Sequence, residues 1–557
     1  MRVVSSCSTC RTRKKRCIAS SSDTACKFCL SKSLRCDAPF VRKLSDVTTY
    51  NLRPVPATIS PSDTSQPPDN PSLSPESTHL AAQSESTLDI VQATLDDRTL
   101  CEELINIYFK VIHSKQHILF HHASFLDDHA KGLVPRFILL GIIALSARFS
   151  SHPSFEGINP WLRGKPFFEE GIQCFDRRTK LISIEAIQGC VLLGFHAFTD
   201  GNTARDDLLS CQAIRMSQTL EIPTTLNGNG LKREIEINVY WQTWMMDRWS
   251  SVRSDWPLQL RNDTNLPRPL RQEVFDLLTP ESTPCDLSSS NELRESSMWG
   301  LILPLTQWHA EVVKLNFQIA TEANLGHEIH DVVQDLSTQL SNWAQSLPFH
   351  LRDTPQNFRD HSSRGYGRLF SVMHIIYHNT CQSLFYQFLA KSVSREQGVT
   401  ADHMVLTCAE LCRSHAISLS KLYWELNTAS DLDCLWSPVN SHLLVIASTI
   451  HLHTMLLQPD KVEATEARQL LEQNFIILQE LQKYWPTTEF AFSRLQAFHN
   501  ACRVSSISKT FNMDKWMANF LNRYDVSVQD RDLDMELADL GASNNGDELW
   551  EILFGGD

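Results

Sequence analysis

Long hydrophobic runs are missing from this 557-residue chain: the longest mostly apolar stretch, Phe137 to Ala147, has 11 residues and lies between Arg136 and Arg148. A helix that crosses a bilayer needs about 20 apolar residues, so a membrane-spanning protein is not expected. The N-terminus carries cysteines and charges where a secretory signal needs an apolar segment. We therefore expect a reducing, intracellular setting, in which clustered cysteines ligate metal more often than they form disulfides. Catalytic signatures are also lacking. There is no GxSxG, no Gly-rich phosphate loop and no pair of carboxylates beside a suitable histidine at a recognisable spacing, so no enzyme is expected. No fixed-period repeat marks a regular solenoid, no sustained heptad marks a coiled coil, and strand-like alternation is rare.

What is present is uneven in charge. Hydrophobic residues make up 42% and charged residues 21% of the chain, the balance of a globular protein, and the length suggests roughly three or four structural units. Residues 1–43 hold eleven Lys or Arg against Asp23 and Asp37, a balance of +9, which leaves −22 on the rest of a chain whose net charge is −13. A basic end on an acidic chain points to a polyanion partner for that end alone, because neutralising phosphates takes clustered Lys and Arg.

Six of the sixteen cysteines fall in the first 36 residues, spaced Cys7-x2-Cys10-x6-Cys17-x8-Cys26-x2-Cys29-x6-Cys36. One Cys-x2-Cys-x6-Cys half is repeated after a loop. Two tetrahedral zinc ions need eight ligand positions, so six thiolates suffice only if two of them bridge both metals. Such a cluster carries −2, and the segment stays basic. Between Cys10 and Cys17 stand Arg11, Arg13, Lys14, Lys15 and Arg16. A helix so short and so charged is unstable alone in water, so metal ligation at both ends would hold it for insertion into a major groove. There Lys and Arg can donate to guanine O6 and N7 while others contact phosphates. The bland alternatives are a zinc-stabilised protein-interaction module, a disulfide knot or a metal buffer; the last two leave the basic run unexplained.

Residues 45–89 turn to Ser, Thr, Pro and Gln, with seven prolines. That composition buries too little apolar surface to offset ordering entropy, and it predicts a disordered linker. From about 97 to 522 the apolar spacing is helical, as in Leu100, Leu104, Ile107, Tyr108 and Val111, in Ile187, Val191, Leu192 and Phe195, and in Leu471, Phe475, Leu478 and Leu481. Segments rich in Pro, Asn, Asp and Ser, at 223–230 and 279–291, predict loops between helices. The ten later cysteines are scattered, and Cys408 and Cys412, four apart on a predicted helix, read as buried core thiols. His113, His117, His121 and His122 invite a metal reading, but no Glu completes an HExxH arrangement, and an amphipathic helix followed by a His-bearing turn accounts for them better.

The last segment, 525–557, has ten acids and one base, Arg531, interleaved with Leu533, Leu537 and Leu540 and then with Leu549, Trp550, Ile552, Leu553 and Phe554. Acids alternating with bulky apolar groups suit a segment that folds as a helix into a coactivator groove, with Leu549, Trp550, Leu553 and Phe554 as anchors. A solvated C-terminus, or a segment docked on its own helical domain, is the alternative.

Both cysteine halves, their spacings and the basic run after Cys10 together resemble the fungal Zn2Cys6 binuclear cluster transcription factors. The resemblance implies two Zn2+ held by Cys7, Cys10, Cys17, Cys26, Cys29 and Cys36, with Cys7 and Cys26 bridging. It makes Lys14 the main base-reading residue, on CGG-type triplets, with Arg11, Arg13 and Arg16 at basic positions and Lys15 a weaker candidate. Ile18 replaces the acid common after the third cysteine, and Thr24 the proline common two residues before the fourth. Residues 100–270 resemble the middle-homology region that accompanies this cluster, through ELINIYFKVIHSKQHILFHHASFL (103–126), ALSARFS (144–150), EAIQGCVLLGFHAF (185–198), AIRMSQTLEI (213–222) and EIEINVYWQTWMMDRWSSVRSDWP (234–257). In the last stretch Asp255, Trp256 and Pro257 stand where the family has Gly-Arg-Pro, which leaves the shape of that loop open.

The expected architecture is a small zinc-stabilised binuclear cluster domain (1–43), a disordered linker (44–96), a large all-α regulatory domain (97–522) and an acidic tail (523–557). The expected function is sequence-specific DNA binding in the nucleus, activating RNA polymerase II genes of a metabolic or biosynthetic set. Double-stranded DNA, coactivators and a small-molecule effector are the expected partners. With no heptads, binding as a monomer or as a dimer through the helical domain is expected. The competing readings are a repressor with the same DNA-binding end and a scaffold that meets DNA non-specifically.

Overall fold

The computed structural model describes residues 90–523, apart from 179–181, 223–229, 255–256, 263–265, 283–289, 322–325, 394–402, 430–431, 458–460 and 505–510. Nineteen α-helices with defined ends run through the described residues, and no strand does. They are α1 (Arg98–Val111), α2 (His122–Ala130), α3 (Arg136–Ser146), α4 (Lys165–Arg178), α5 (Ile184–Thr199), α6 (Thr203–Thr219), α7 (Gly230–Ser254), α8 (Gln272–Phe275), α9 (Ser290–Glu295) and α10 (Met298–Thr321). The second half comprises α11 (Gly326–Ser346), α12 (Pro355–Ser363), α13 (Gly367–Phe385), α14 (Phe388–Val393), α15 (His403–Thr428), α16 (Val439–Leu457), α17 (Lys461–Gln482), α18 (Glu489–Val504) and α19 (Lys515–Asn522).

Helix starts are set by short polar side chains that accept the first free backbone N–H groups. Asp97 accepts from Leu100, Ser183 from Ala186, Asn202 from Arg205, Thr354 from Asn357 and Asp514 from Met517. Each such cap stabilises its helix by about 1 kcal/mol, and Pro355 supplies a fixed φ just after Thr354.

The helices bury a large core that runs from Val91 to Leu521, and Leu231, Leu270, Phe275 and Leu278 form a small second cluster. In α1 the spaced residues Leu100, Leu104, Tyr108 and Val111 are buried and Ile107 is partly so. Every residue of α5 from Ala186 to Thr199 is buried, which places it in the interior rather than on an edge. It packs against α3 and α6. The approach to α3 needs a glycine, because a Cβ at Gly189 would lie 2.5 Å from the Phe137 ring. Helix α10 joins the first half to the second, touching α7 on one side and α13 and α19 on the other.

Arg148 makes a second tie across the sequence. Fully buried, it donates to the Tyr484 carbonyl at 3.1 Å and lies 4.2 Å from the centre of the Trp485 ring. Burial lowers its pKa to about 10, so it stays charged, and the contact with the indole face offsets part of its lost hydration.

Candidate functional site

The six cysteines Cys7, Cys10, Cys17, Cys26, Cys29 and Cys36, the basic residues Arg11, Arg13, Lys14, Lys15 and Arg16, and the tail residues Leu549, Trp550, Leu553 and Phe554 all lie outside the described residues. Among the described residues no three His, Cys, Asp or Glu side chains gather as metal ligands. The scattered cysteines there form no disulfide. Cys408 and Cys412 are buried, and the Cys412 thiol donates to the Gln382 carbonyl at 3.4 Å. Burial pushes that thiol up and away from the reactive thiolate form.

The histidines of the 103–126 stretch do not share a helix face, because α1 ends at Val111, His113, His117 and His121 stand on the turn that follows, and His122 opens α2. Each has separate work. His117 Nε2 meets the Tyr108 hydroxyl at 2.6 Å, and the backbone N–H of Phe120 donates to His113 Nε2 at 3.1 Å. His121 caps α2 by accepting from Ser124, while His122 stacks on Phe109 with ring centres 4.2 Å apart. Burial lowers the pKa of His117 to about 3 and holds His113 well below its ordinary value, so both rings are neutral near pH 7.

This turn forms one wall of a partly open cavity of about 180 Å³. Helix α5 contributes Val191, Phe195 and Phe198, and α7 contributes Gln242, Met245, Met246 and Trp249. The rest of the wall comes from Trp299, Ile302 and Thr306 of α10, Val372 and Ile375 of α13, Trp436 just before α16, and Asn440 and Leu443 within it. The polar members are mostly satisfied within the protein. Gln242 accepts from Ile118 at 3.2 Å, Asn440 accepts from the Tyr423 hydroxyl at 2.8 Å, and Thr306 donates to Ile302 at 3.2 Å. Lys115 also lines the cavity and donates to the Phe109 carbonyl at 3.1 Å. Burial first, then the positive charge of Arg368, lowers its pKa to about 7.

Beyond α7 the loop that carries the Asp255, Trp256 and Pro257 replacement is described from Pro257 to Asn262. Asp247 and Arg248, both almost fully buried, hold it. The Asp247 carboxylate accepts from the backbone of Gln259 at 3.0 Å and of Leu260 at 2.9 Å. The Arg248 guanidinium stacks on Trp244 at 3.5 Å and donates to the Leu260 carbonyl at 3.1 Å and to the Asn262 side chain. An adjacent Asp-Arg pair in an apolar stretch could have signalled such a clamp in the sequence.

Residues 105–345 match the family described as "Fungal specific transcription factor domain". Among curated proteins, the chain is similar to the Zn(2)-C6 fungal-type transcription factor FTF1c of Fusarium oxysporum f. sp. lycopersici, 24% identical over 70% of this chain and 44% of that protein. It is also similar to the Zn(2)-C6 fungal-type transcription factor FTF2 of the same organism, 24% identical over 70% of this chain and 38% of that protein. A Schizosaccharomyces pombe protein named as an uncharacterized transcriptional regulatory protein is 23% identical over 91% of this chain and 80% of its own length. The chain spans less than half the length of the Fusarium relatives. No solved structure matches it significantly.

Proposed function

We propose that this chain, which carries the fungal specific transcription factor domain over residues 105–345 and resembles the fungal Zn2Cys6 regulators, is a nuclear, sequence-specific DNA-binding regulator of transcription. The observation that carries the reading is the doubled Cys-x2-Cys-x6-Cys spacing with Arg11, Arg13, Lys14, Lys15 and Arg16 inside its first half. The names of the Fusarium relatives, Zn(2)-C6 fungal-type transcription factors, support it.

In this proposal the six cysteines hold two Zn2+ as thiolates. The metal supplies folding energy to a segment with too few apolar residues for a core. Lys14 donates to guanine in the major groove, and the neighbouring Arg and Lys neutralise phosphates. Residues 1–43 carry +9, whereas the rest of the chain carries −22. DNA contact therefore falls to the N-terminal end. The acidic tail makes activation the favoured outcome.

The test is selection from random duplexes by the full chain. Enrichment of a defined motif containing a CGG-type triplet is expected, and Lys14→Ala is expected to flatten the preference at one position by roughly 1–3 kcal/mol. Equal loss of cognate and random binding in Lys14→Ala would remove its base-reading role. Absence of any enriched motif would favour the non-specific scaffold.

A further inference from the structure

A second cleft, partly open and of about 710 Å³, lies between α2, α3, α5 and α7. Its apolar faces include two pairs of phenylalanines, Phe120 with Phe125, ring centres 5.0 Å apart, and Phe137 with Phe175, 5.4 Å apart. Leu133 and Ile182 line it as well and are exposed. Gln188 of α5, only 5% exposed, is also part of the wall. Its Nε2 donates to the Leu119 carbonyl at 2.6 Å, which fixes the orientation of the amide. Its Oε1 accepts no hydrogen bond from any described residue, yet it is open to water rather than sealed in the core. An amide oxygen can only accept. Nearly buried acceptors in native proteins are bonded as a rule, so this one marks a place for a donor that arrives from outside.

Charge decides what kind of donor fits. The wall carries the carboxylates of Asp128, Glu185 and Glu236, and none of the three forms an ion pair among the described residues. Three acids against Lys232 leave the wall at a formal −2. Burial raises the Glu236 carboxyl above its ordinary value, and Lys232 offsets this only in part. Phenylalanine faces attract cations and also take apolar groups, and a volume of about 710 Å³ falls within the roughly 300–1,000 Å³ of small-molecule sites. We propose that this cleft is a binding site for a small organic cation, a protonated amine on an apolar body. Its N–H donates to Gln188 Oε1, the carboxylates of the wall balance its charge, and its body packs on the phenylalanine rings. The acidic segment 525–557 of the same chain carries the wrong charge to fill the cleft. This inference stands apart from DNA recognition, because none of these residues belongs to the proposed DNA-binding end.

The experiment is titration calorimetry on the full chain without DNA, at low salt, with three probes that share one apolar body and differ in the head group: 4-phenylbutylammonium, 4-phenylbutanol and 4-phenylbutyrate. The ammonium is expected to bind with one-to-one stoichiometry and about tenfold more tightly than the alcohol, the effect of a charge-assisted hydrogen bond. The carboxylate is expected to bind more weakly than either. Glu185→Gln combined with Glu236→Gln, at positions outside the core, should weaken the ammonium about fivefold and leave the alcohol unchanged, the scale of partly solvated charge pairs. No saturable binding of the ammonium to the folded wild-type chain, or binding no tighter than that of the alcohol or the carboxylate, overturns the proposal without any variant. Unweakened ammonium binding in the folded double variant overturns it as well. A Lys-rich amphipathic peptide that binds where the ammonium does not would make the cleft a protein-docking groove, and that result also contradicts the proposal. None of these outcomes touches motif selection, so this proposal and the DNA-binding one fail separately.

Discussion

Glu234 and Arg294, sixty residues apart, meet as a buried two-bond ion pair, with guanidinium nitrogens 2.5 and 3.0 Å from the carboxylate oxygens. The pair fastens α7 to α9, and Arg294 also reaches the Arg268 carbonyl. At 1% and 9% side-chain exposure, neither charge can turn to water if the other is removed. Arg294→Ala should therefore cost about 3–5 kcal/mol in a urea titration, whereas Glu234→Leu with Arg294→Met should cost much less. A single-variant loss no larger than that of the double variant would contradict the pairing.

The Asp247 carboxylate receives two backbone N–H groups from the loop after α7. Replacing it with Ala leaves Arg248 without its neighbouring carboxylate and the loop without an anchor. We expect amide hydrogen exchange at Gln259 and Leu260 to accelerate selectively, with α5 amides unchanged. Acceleration spread evenly over the helices would show global destabilisation instead.

Acid should weaken the helical region well above the usual carboxylate range. Burial lowers His117, His415 and His451 to about 3 and His309, His374 and His453 to about 4. An unfolded histidine takes up its proton near pH 6.5, so as pH falls below that value the unfolded chain gains protons that the folded chain refuses. The stability conferred by neutral buried rings is complete above about pH 6.5 and is lost progressively as pH falls toward the folded values. Each ring contributes a loss of roughly 1.4 kcal/mol per pH unit well inside that window. The urea midpoint should drop clearly between pH 7.5 and 5.5. A flat profile would mean that these rings are not neutral in the core.

Much of this helical region was legible from spacing alone. Ile187, Val191, Leu192 and Phe195, and later Leu471, Phe475, Leu478 and Leu481, are all buried, as a 3.6-residue period requires. The turn after α1 was legible as well, with its histidines bonded or stacked individually. What spacing could not give is the cavity, because its wall joins residues as distant as His117 and Leu443, and no local pattern encodes which helix faces will meet. The Glu234–Arg294 pair was hidden for the same reason.

Residues 523–557, fused to an unrelated DNA-binding domain, should activate a reporter, and Trp550→Ala with Phe554→Ala should lose most of that activity, because these are the two aromatic side chains among the proposed anchors. Silence of the fusion would favour the repressor reading, and full activity in the double variant would relocate the anchors.

In the proposed function zinc held by the six N-terminal cysteines creates the DNA-reading surface, so metal content and DNA binding are to be measured together on the full chain. We expect two zinc ions per chain, and chelation or Cys10→Ala should abolish motif-selective binding while the helical circular dichroism persists. Selective binding that survives complete removal of zinc would contradict the account.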